Sequence, residues 1–440
     1  MLTNVVAFIF VLGVLIFVHE LGHFVMARRI GVRVLTFSLG FGPKLLRVRR
    51  GDTEYCVSAI PLGGYVKMAG EHAEDNRAGQ PDEFLSKTKW ERFQVLIAGP
   101  AMNILLAIVV MALVLYQGAE VPAYESQPPV VGTVLAGSPA ERAGIQPGDR
   151  LVSIAGRGVD TWEQLFLEVM PKANREIEIL VERDGAERRL AVVPDAQTKF
   201  EMGDIGVLPE MHPQIRVVTP GGAADRAGLL AGDVILAVNG EAMTRDQPLV
   251  KTINESAGVP LTLRVRRDAG EQDIVVTPVK QGDVGLIGVQ LSQFEVRIIE
   301  PGPLQAIQMS LQRNLEWSTL IFRTLVGLFT TETSPRQLMG PVAIAQLSGG
   351  AAQVGWVALF SLMAMISLNL GILNLMPIPV LDGGHIMILA LEGVTRRDFS
   401  VRLKEKMLFA GFLVLMLLMV TVIYNDLTRI EWIERFMFWR

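Results

Sequence analysis

The 440-residue chain is 50% hydrophobic and 20% charged, with a formal net charge of −4 and a mean hydropathy of +0.36. That balance is too apolar for a disordered or fully soluble protein and too polar for a chain made only of membrane spans. Mild acidity excludes a nucleic-acid binder, which needs a basic face, and the single cysteine, Cys56, excludes an internal disulfide and a cysteine zinc knuckle.

A few membrane helices joined to soluble domains fit these figures. Any metal site must then use carboxylates and the five histidines, His19, His23, His72, His212 and His385. Two of these stand four residues apart.

The first predicted span runs from Val5 to Ala27, interrupted by His19, Glu20 and His23. It lacks a basic leading region and a small-residue cleavage site, so it reads as a retained span rather than a signal peptide. His19-Glu20-Leu21-Gly22-His23 is an HExxH motif. On a helix, positions i and i+4 share a face, so both imidazoles can hold one metal ion while the Glu between them reaches a bound water as general base. Two packed histidines are the alternative, but ionisable groups inside a span are costly and mark function.

Beyond this span, Leu35 to Gly42 and Tyr55 to Met68 alternate like strands, with Gly63-Gly64 at a turn. His72 reads as a surface residue. Phe84 to Phe93 mixes basic and aromatic residues and is expected to form an interfacial helix. The second span covers Val95 to Tyr116. Its Gly99-Pro100-Ala101-Met102-Asn103 stretch predicts close helix packing, with Asn103 hydrogen-bonded in the core and taking no direct catalytic part.

The segment from about Gly118 to Gln353 contains an internal repeat. GSPAERAGIQPGD, from Gly137, matches GGAADRAGLLAGD, from Gly221, at an offset of 84 residues. The register persists through two strand pairs, supported by alternation at Ile177, Ile179 and Val181 and at Leu261, Leu263 and Val265. Leu304 to Phe329 has amphipathic spacing and is expected to lie along the outer membrane surface. The following SPRQLMGPVAIAQLSGG reads as a loop.

The third span runs from about Val354 to Ile378 and the fourth from Met407 to Tyr424. Between them, Asn369 to Gly384 reads NLGILNLMPIPVLDGG. Pro377 and Pro379 must break the helix, and Gly383 and Gly384 permit close backbone approach. Asp382 is the candidate third metal ligand; an ordinary helix stop is the alternative. Twelve Lys and Arg lie between Arg28 and Arg92, and five more lie at Arg396, Arg397, Arg402, Lys404 and Lys406. The positive-inside rule makes both loops cytoplasmic, with both termini and the repeat segment outside.

HExxH in the first span and NxxPxPxLDG in the third resemble the site-2 protease family, and the order of span, span, two repeats, span, span resembles its bacterial sigma-E-regulating branch. The repeats resemble PDZ domains. The resemblance implies a polytopic α-helical membrane protein of four spans with a membrane-re-entrant β-region and two inserted α/β PDZ-like domains. The expected boundaries are 1–117 for the first membrane part, 118–210 and 211–295 for the PDZ-like domains, 296–353 for the surface helix and loop, and 354–440 for the second membrane part.

The same resemblance implies that His19, His23 and Asp382 ligate zinc and that Glu20 is the base. It also assigns Asn369 and Asn374 to substrate handling and the β-region around Gly63, Gly64 and Tyr65 to substrate binding. The expected activity is intramembrane zinc endopeptidase action in the bacterial inner membrane. Substrates would be single-span proteins such as anti-sigma factors after a first cut, and remnant signal peptides. The PDZ-like pair, on the periplasmic side, would act as a size filter or bind peptide C-termini, and could alternatively be a steric spacer. Membrane lipid is the other expected partner. A metal-stabilised adaptor without catalysis is the competing reading, and a zinc transporter lacks a second set of intramembrane ligands.

Overall fold

The computed structural model describes residues 2–71, 79–197, 200–243, 246–267, 270–282, 284–330 and 333–429. The expectation for His72 lies outside them. The chain divides into two compact units, residues 1–117, 300–329 and 338–440 in one, and residues 118–299 and 330–337 in the other. Among the described residues, four helices are long and apolar enough to cross a membrane: Leu2–Arg29, Lys89–Tyr116, Trp356–Asn374 and Val401–Thr428. They fall on the four expected spans.

Helix α1 (Leu2–Arg29) carries Arg28 and Arg29 in its last turn, where cations complement the helix dipole. It stops at Gly31, whose φ of 75° suits glycine. Strands β1 (Val34–Arg50) and β2 (Thr53–Met68) form a hairpin that folds back on itself. Residues Thr36 to Leu39 pair on one side with Gly64 to Lys67 and on the other with Glu54 to Val57. The far half of β1 closes over the same stretch, with Leu46 opposite Val57 and Arg50 opposite Thr53. Gly40, at φ 92°, makes the reversal possible: a Cβ there would lie 2.8 Å from the Ser58 carbonyl oxygen. Among the described residues, Gly64 to Lys67 is therefore one edge of the sheet, with no second strand beside it.

Helix α2 (Lys89–Tyr116) starts at a capping box, in which Thr88 accepts from the Glu91 amide and Glu91 accepts from the Thr88 amide. This corrects the expected interfacial helix at 84–93. The box ends a short 3-10 turn, Phe84–Ser86, and makes Lys89 onward the first turns of the span itself.

The second unit realises the 84-residue repeat as two α/β modules. The first has α3 (Pro139–Ala143) and α4 (Trp162–Val169) beside a sheet of residues 157–158, 150–154, 177–183 and 186–192. Its core gathers Leu151, Ile154, Trp162, Leu165, Ile179 and Val181. The second has α5 (Ala223–Ala227) and α6 (Asp246–Glu255) beside strands 270–276, 261–267, 234–238, 214–218 and 289–292. Its core gathers Ile235, Val238, Leu249, Leu261, Leu263 and Val265.

An ion pair recurs at the repeat offset. Arg183 holds buried Asp149 through Nε (2.6 Å) and Nη2 (2.7 Å), and also donates to the Gly144 carbonyl at the end of α3. Arg267 holds Asp233 through Nε (2.7 Å) and Nη2 (2.8 Å), and donates to the Gly228 carbonyl at the end of α5. Each arginine ties a strand to a helix terminus whose carbonyls lack intrahelical partners.

Helix α7 (Pro303–Phe329) returns to the first unit. Ala306, Ser310 and Asn314 recur every four residues and are buried, while Leu304, Ile307, Leu311 and Leu315 are exposed. Ser310 Oγ donates to the Ile108 carbonyl of α2 (2.7 Å), and Trp317 and Ile321 pack on Ala107, Leu368 and Ile372. The first half of the helix thus presents a small and polar stripe to α2 and its Leu and Ile side chains outward, while the second half packs through Trp317 and Ile321.

The expected loop after it contains α8 (Pro341–Val354), a second correction. Pro341 at the first helical position favours the start, and Asp426 caps it from another helix by accepting from the Gly340, Val342 and Ala343 amides. Gly349 lets α8 touch Asn4 of α1. Helix α9 (Trp356–Asn374), α10 (Asp382–Thr395) and α11 (Val401–Thr428) complete the unit.

Candidate metal centre

Helices α1 and α2 cross with almost no side chain between them. A Cβ on Gly22 would collide with the Ala98 carbonyl, and one on Gly99 would collide with the Nε2 atoms of both His23 and His19. Glycine at these two positions is what lets the HExxH face sit directly on α2. His19 and His23 are both buried, as expected for residues one turn apart on the packed face.

Asp382 arrives from the far end of the sequence. Helix α9 lies against α2, with Ser367 Oγ donating to the Asn103 carbonyl (2.7 Å). It ends at Asn374, and residues 375–381 form a tight turn before Asp382 opens α10. The turn is strained: Val380, a β-branched residue, has φ 108°, a region that costs on the order of 1–3 kcal/mol outside glycine. Close approaches hold it there. A Cβ on Gly383 would collide with Leu375, one on Gly384 with Ile378, and one on Gly411 of α11 with Pro379. At the other end of α10, Glu392 is buried and takes Lys404 Nζ (2.7 Å) and the Phe399 amide (2.8 Å), while Lys89 Nζ donates to its carbonyl (2.9 Å).

The result is a cluster of three donors. His19 Nε2 lies 3.2 Å from Asp382 Oδ2, His23 Nε2 lies 3.5 Å from Asp382 Oδ1, and the two Nε2 atoms are 3.2 Å apart. Zinc–donor bonds of about 2.0–2.1 Å put neighbouring donors of a tetrahedron about 3.3–3.4 Å apart. The two imidazole nitrogens stand at that separation, and the Asp382 carboxylate reaches them through one oxygen each, so the three side chains converge closely enough to share one ion. This cluster is the group of His, Cys, Asp and Glu residues with metal-holding geometry among the described residues. The orientation of the rings also fits: His23 Nδ1 donates to the Val95 carbonyl (2.8 Å), which leaves its Nε2 lone pair toward the cluster.

Glu20 is half-buried beside the two histidines. Edge residue Gly64 passes against it, since a Cβ there would lie 2.9 Å from Glu20 Cγ. Tyr65 stacks on Phe41, with centroids 6.2 Å apart and planes 8° from parallel, and a Cβ on Gly63 would enter that Phe41 ring. Asn369 and Asn374 are half-buried on α9 and are not among the residues that hydrogen-bond the donor cluster. His212 serves the second module instead, with Nδ1 donating to the Met243 carbonyl (2.9 Å).

Sequence reasoning treated Gly99 and Asn103 as packing residues. In the structure, Val95, Gly99 and Asn103 stand four apart on the face of α2 that supports the donors. The carbonyl of the first receives His23, the missing side chain of the second leaves room, and the amide of the third faces His19 Nδ1 (3.2 Å). The available signal was that i, i+4, i+8 spacing.

Comparison with known proteins agrees with this geometry. The sequence profile of peptidase family M50 matches residues 7–418. A regulator of sigma E protease from Salmonella typhi is 35% identical over 98% of this chain and 99% of its own length. The regulator of sigma-E protease RseP of Escherichia coli K12 is likewise 35% identical, with the same coverage of both chains. A putative zinc metalloprotease of Vibrio cholerae is 33% identical over 98% of this chain and 99% of its own length. With HExxH and the LDG aspartate joined in one donor cluster, the chain belongs to peptidase family M50, the site-2 proteases, which are zinc-dependent metalloendopeptidases.

Proposed function

We propose that the protein cleaves single-span membrane proteins within or near the bilayer, using zinc held by His19, His23 and Asp382 and Glu20 as the base. The observation that carries this reading is the convergence of three side chains, with the two Nε2 atoms 3.2 Å apart and each within 3.5 Å of an Asp382 carboxylate oxygen. Zinc bound there supplies Lewis acidity toward a scissile carbonyl and an acidified water. Glu20 takes the proton of the attacking water and passes it to the leaving amine, so one carboxylate serves both directions of transfer.

A helical substrate hides its peptide groups in internal hydrogen bonds and must be extended before attack. The edge from Gly64 to Lys67 offers main-chain partners for an extended segment. Gly63 and Gly64 keep that edge bare beside Glu20, and the Tyr65–Phe41 stack flanks it. Asn369 and Asn374, whose amides have no partner in the donor cluster, are available to the same segment.

The basic loops put the β1–β2 hairpin and the α10–α11 turn on the cytoplasmic face of a bacterial inner membrane. The two modules then lie in the periplasm. Their repeat supports a PDZ-like pair that excludes substrates with intact outer domains or reads a newly made C-terminus. Anti-sigma factors after a first cut, and remnant signal peptides, fit that requirement. The test uses a reconstituted single-span substrate. Glu20→Gln is expected to lower the cleavage rate by about 10²–10⁴-fold with zinc content unchanged. Cleavage at the wild-type rate would leave the adaptor reading in its place.

A further inference from the structure

We propose that Asn103 is the positioning residue of His19, fixing which ring nitrogen faces the metal. The proposal rests on the reading of His19 as a ligand. Asn103 is fully buried on α2, its amide lies 3.2 Å from His19 Nδ1, and its Oδ1 has no hydrogen-bond partner among the described residues. A neutral imidazole that presents the Nε2 lone pair to a metal carries its proton on Nδ1, so the group facing Nδ1 must accept.

The two ends of a carboxamide are told apart only by their surroundings. Turned about its last torsion, the Asn103 amide places the unpaired Oδ1 against the Nδ1 proton. Both demands are then met at once: the buried acceptor gains its donor, and Nε2 is free for the ion. In the opposite orientation the amide donates to Nδ1, the ring proton sits on Nε2, and that proton points at Asp382 Oδ2, 3.2 Å away. That second arrangement leaves the Asn103 Oδ1 without a partner and His19 without a lone pair for metal. The Asn103 amide thus selects between a metal-ready and a metal-excluding state of the ligand.

His23 has the matching arrangement with a fixed acceptor. Its Nδ1 meets the Val95 carbonyl, two turns earlier on the same face of α2. A backbone carbonyl cannot turn round, whereas an amide can, so His19 is the ligand whose state is adjustable. The tie between α2 and α9 runs through the Asn103 backbone carbonyl and Ser367. Changing the side chain therefore leaves that contact in place.

The experiment is zinc binding to the full-length detergent-solubilised protein in competition with a chelator, with cobalt-substituted spectra as a second readout. Asn103→Leu, of similar size and without an acceptor, is expected to weaken zinc binding roughly 10–100-fold. Asn103→Asp, which can only accept, is expected to bind within about threefold of wild type and to keep the wild-type cobalt spectrum. Zinc binding by Asn103→Leu equal to wild type overturns the proposal, as does a loss in Asn103→Asp as large as in Asn103→Leu. Should Asn103→Leu fail to fold, Asn103→Asp decides alone: retained zinc supports the role and lost zinc overturns it. His19→Ala separates the two readings, because full zinc binding by that variant defeats the ligand assignment itself.

Discussion

The buried carboxylates of the repeated modules and the carboxylate of the donor cluster are disposed of in opposite ways. In the repeated modules each buried carboxylate has its own cation. Asp149 and Asp233 are gripped by Arg183 and Arg267 through two nitrogens apiece. In the membrane unit, Asp382 meets two imidazoles and, among the described residues, no Lys or Arg, and the three side chains bring their donor atoms close together. A buried charge with a dedicated counter-ion holds elements together. A buried set of convergent donors is an incomplete coordination shell, which is stable only when a cation completes it.

That contrast predicts different consequences for similar mutations. The largest effect is expected from Asp382→Ala, which removes a donor from a three-donor set. Zinc affinity should fall by more than the roughly 10–100-fold that loss of an outer hydrogen-bond partner causes, and cleavage should fall to background. Metal analysis of the purified variant checks this, and retained zinc would strike Asp382 from the ligand set. Hydrogen exchange in the modules should not change.

Next comes Arg183→Met in the first module. It leaves Asp149 buried without its cation, which destabilises the module. The expected readout is faster amide exchange in residues 177–183, with zinc content unchanged. Arg267→Met should give a smaller loss, because the Arg267 side chain is 30% exposed against 15% for Arg183, and water already shares its work. Equal losses in the two modules would break this ordering.

What could be read in the sequence follows the same division. HExxH is legible because the two candidate ligands and the candidate base lie within five residues on one helix, so a short periodicity fixes their geometry. Asp382 was visible only as an aspartate after two helix-breaking prolines. Its arrival beside His19 depends on glycine contacts at positions 22, 99, 371 and 411, made between elements distant in sequence. The repeat was legible from its offset, but the Asp149–Arg183 clamp is a pairing across 34 residues that no local pattern encodes. Helix α8 was missed because its cap, Asp426, comes from 84 residues away at Val342. In α7 the apolar stripe was seen, and the small and polar face that packs on α2 was not. Lipid inverts the usual rule, so small and polar positions mark the packed face.

The smallest effect expected is one of pH, and it belongs to the modules. Burial opposes the charge on Asp149, but the Arg183 guanidinium and the Gln146 amide outweigh it and hold the carboxyl below its ordinary value. A carboxylate depressed in the folded state binds fewer protons there than when unfolded. Its stabilising contribution is therefore fully present above the unfolded pKa of about 3.9 and is lost as pH falls through the lower folded value. Exchange protection in residues 177–183 should be flat from pH 8 to about 5 and decline only below about 4. Asp149→Asn, which cannot titrate, should remove the decline while starting from lower protection. A decline that begins near neutral pH would instead place the controlling proton on a histidine, and the modules would no longer differ from the metal centre in how they hold their charge.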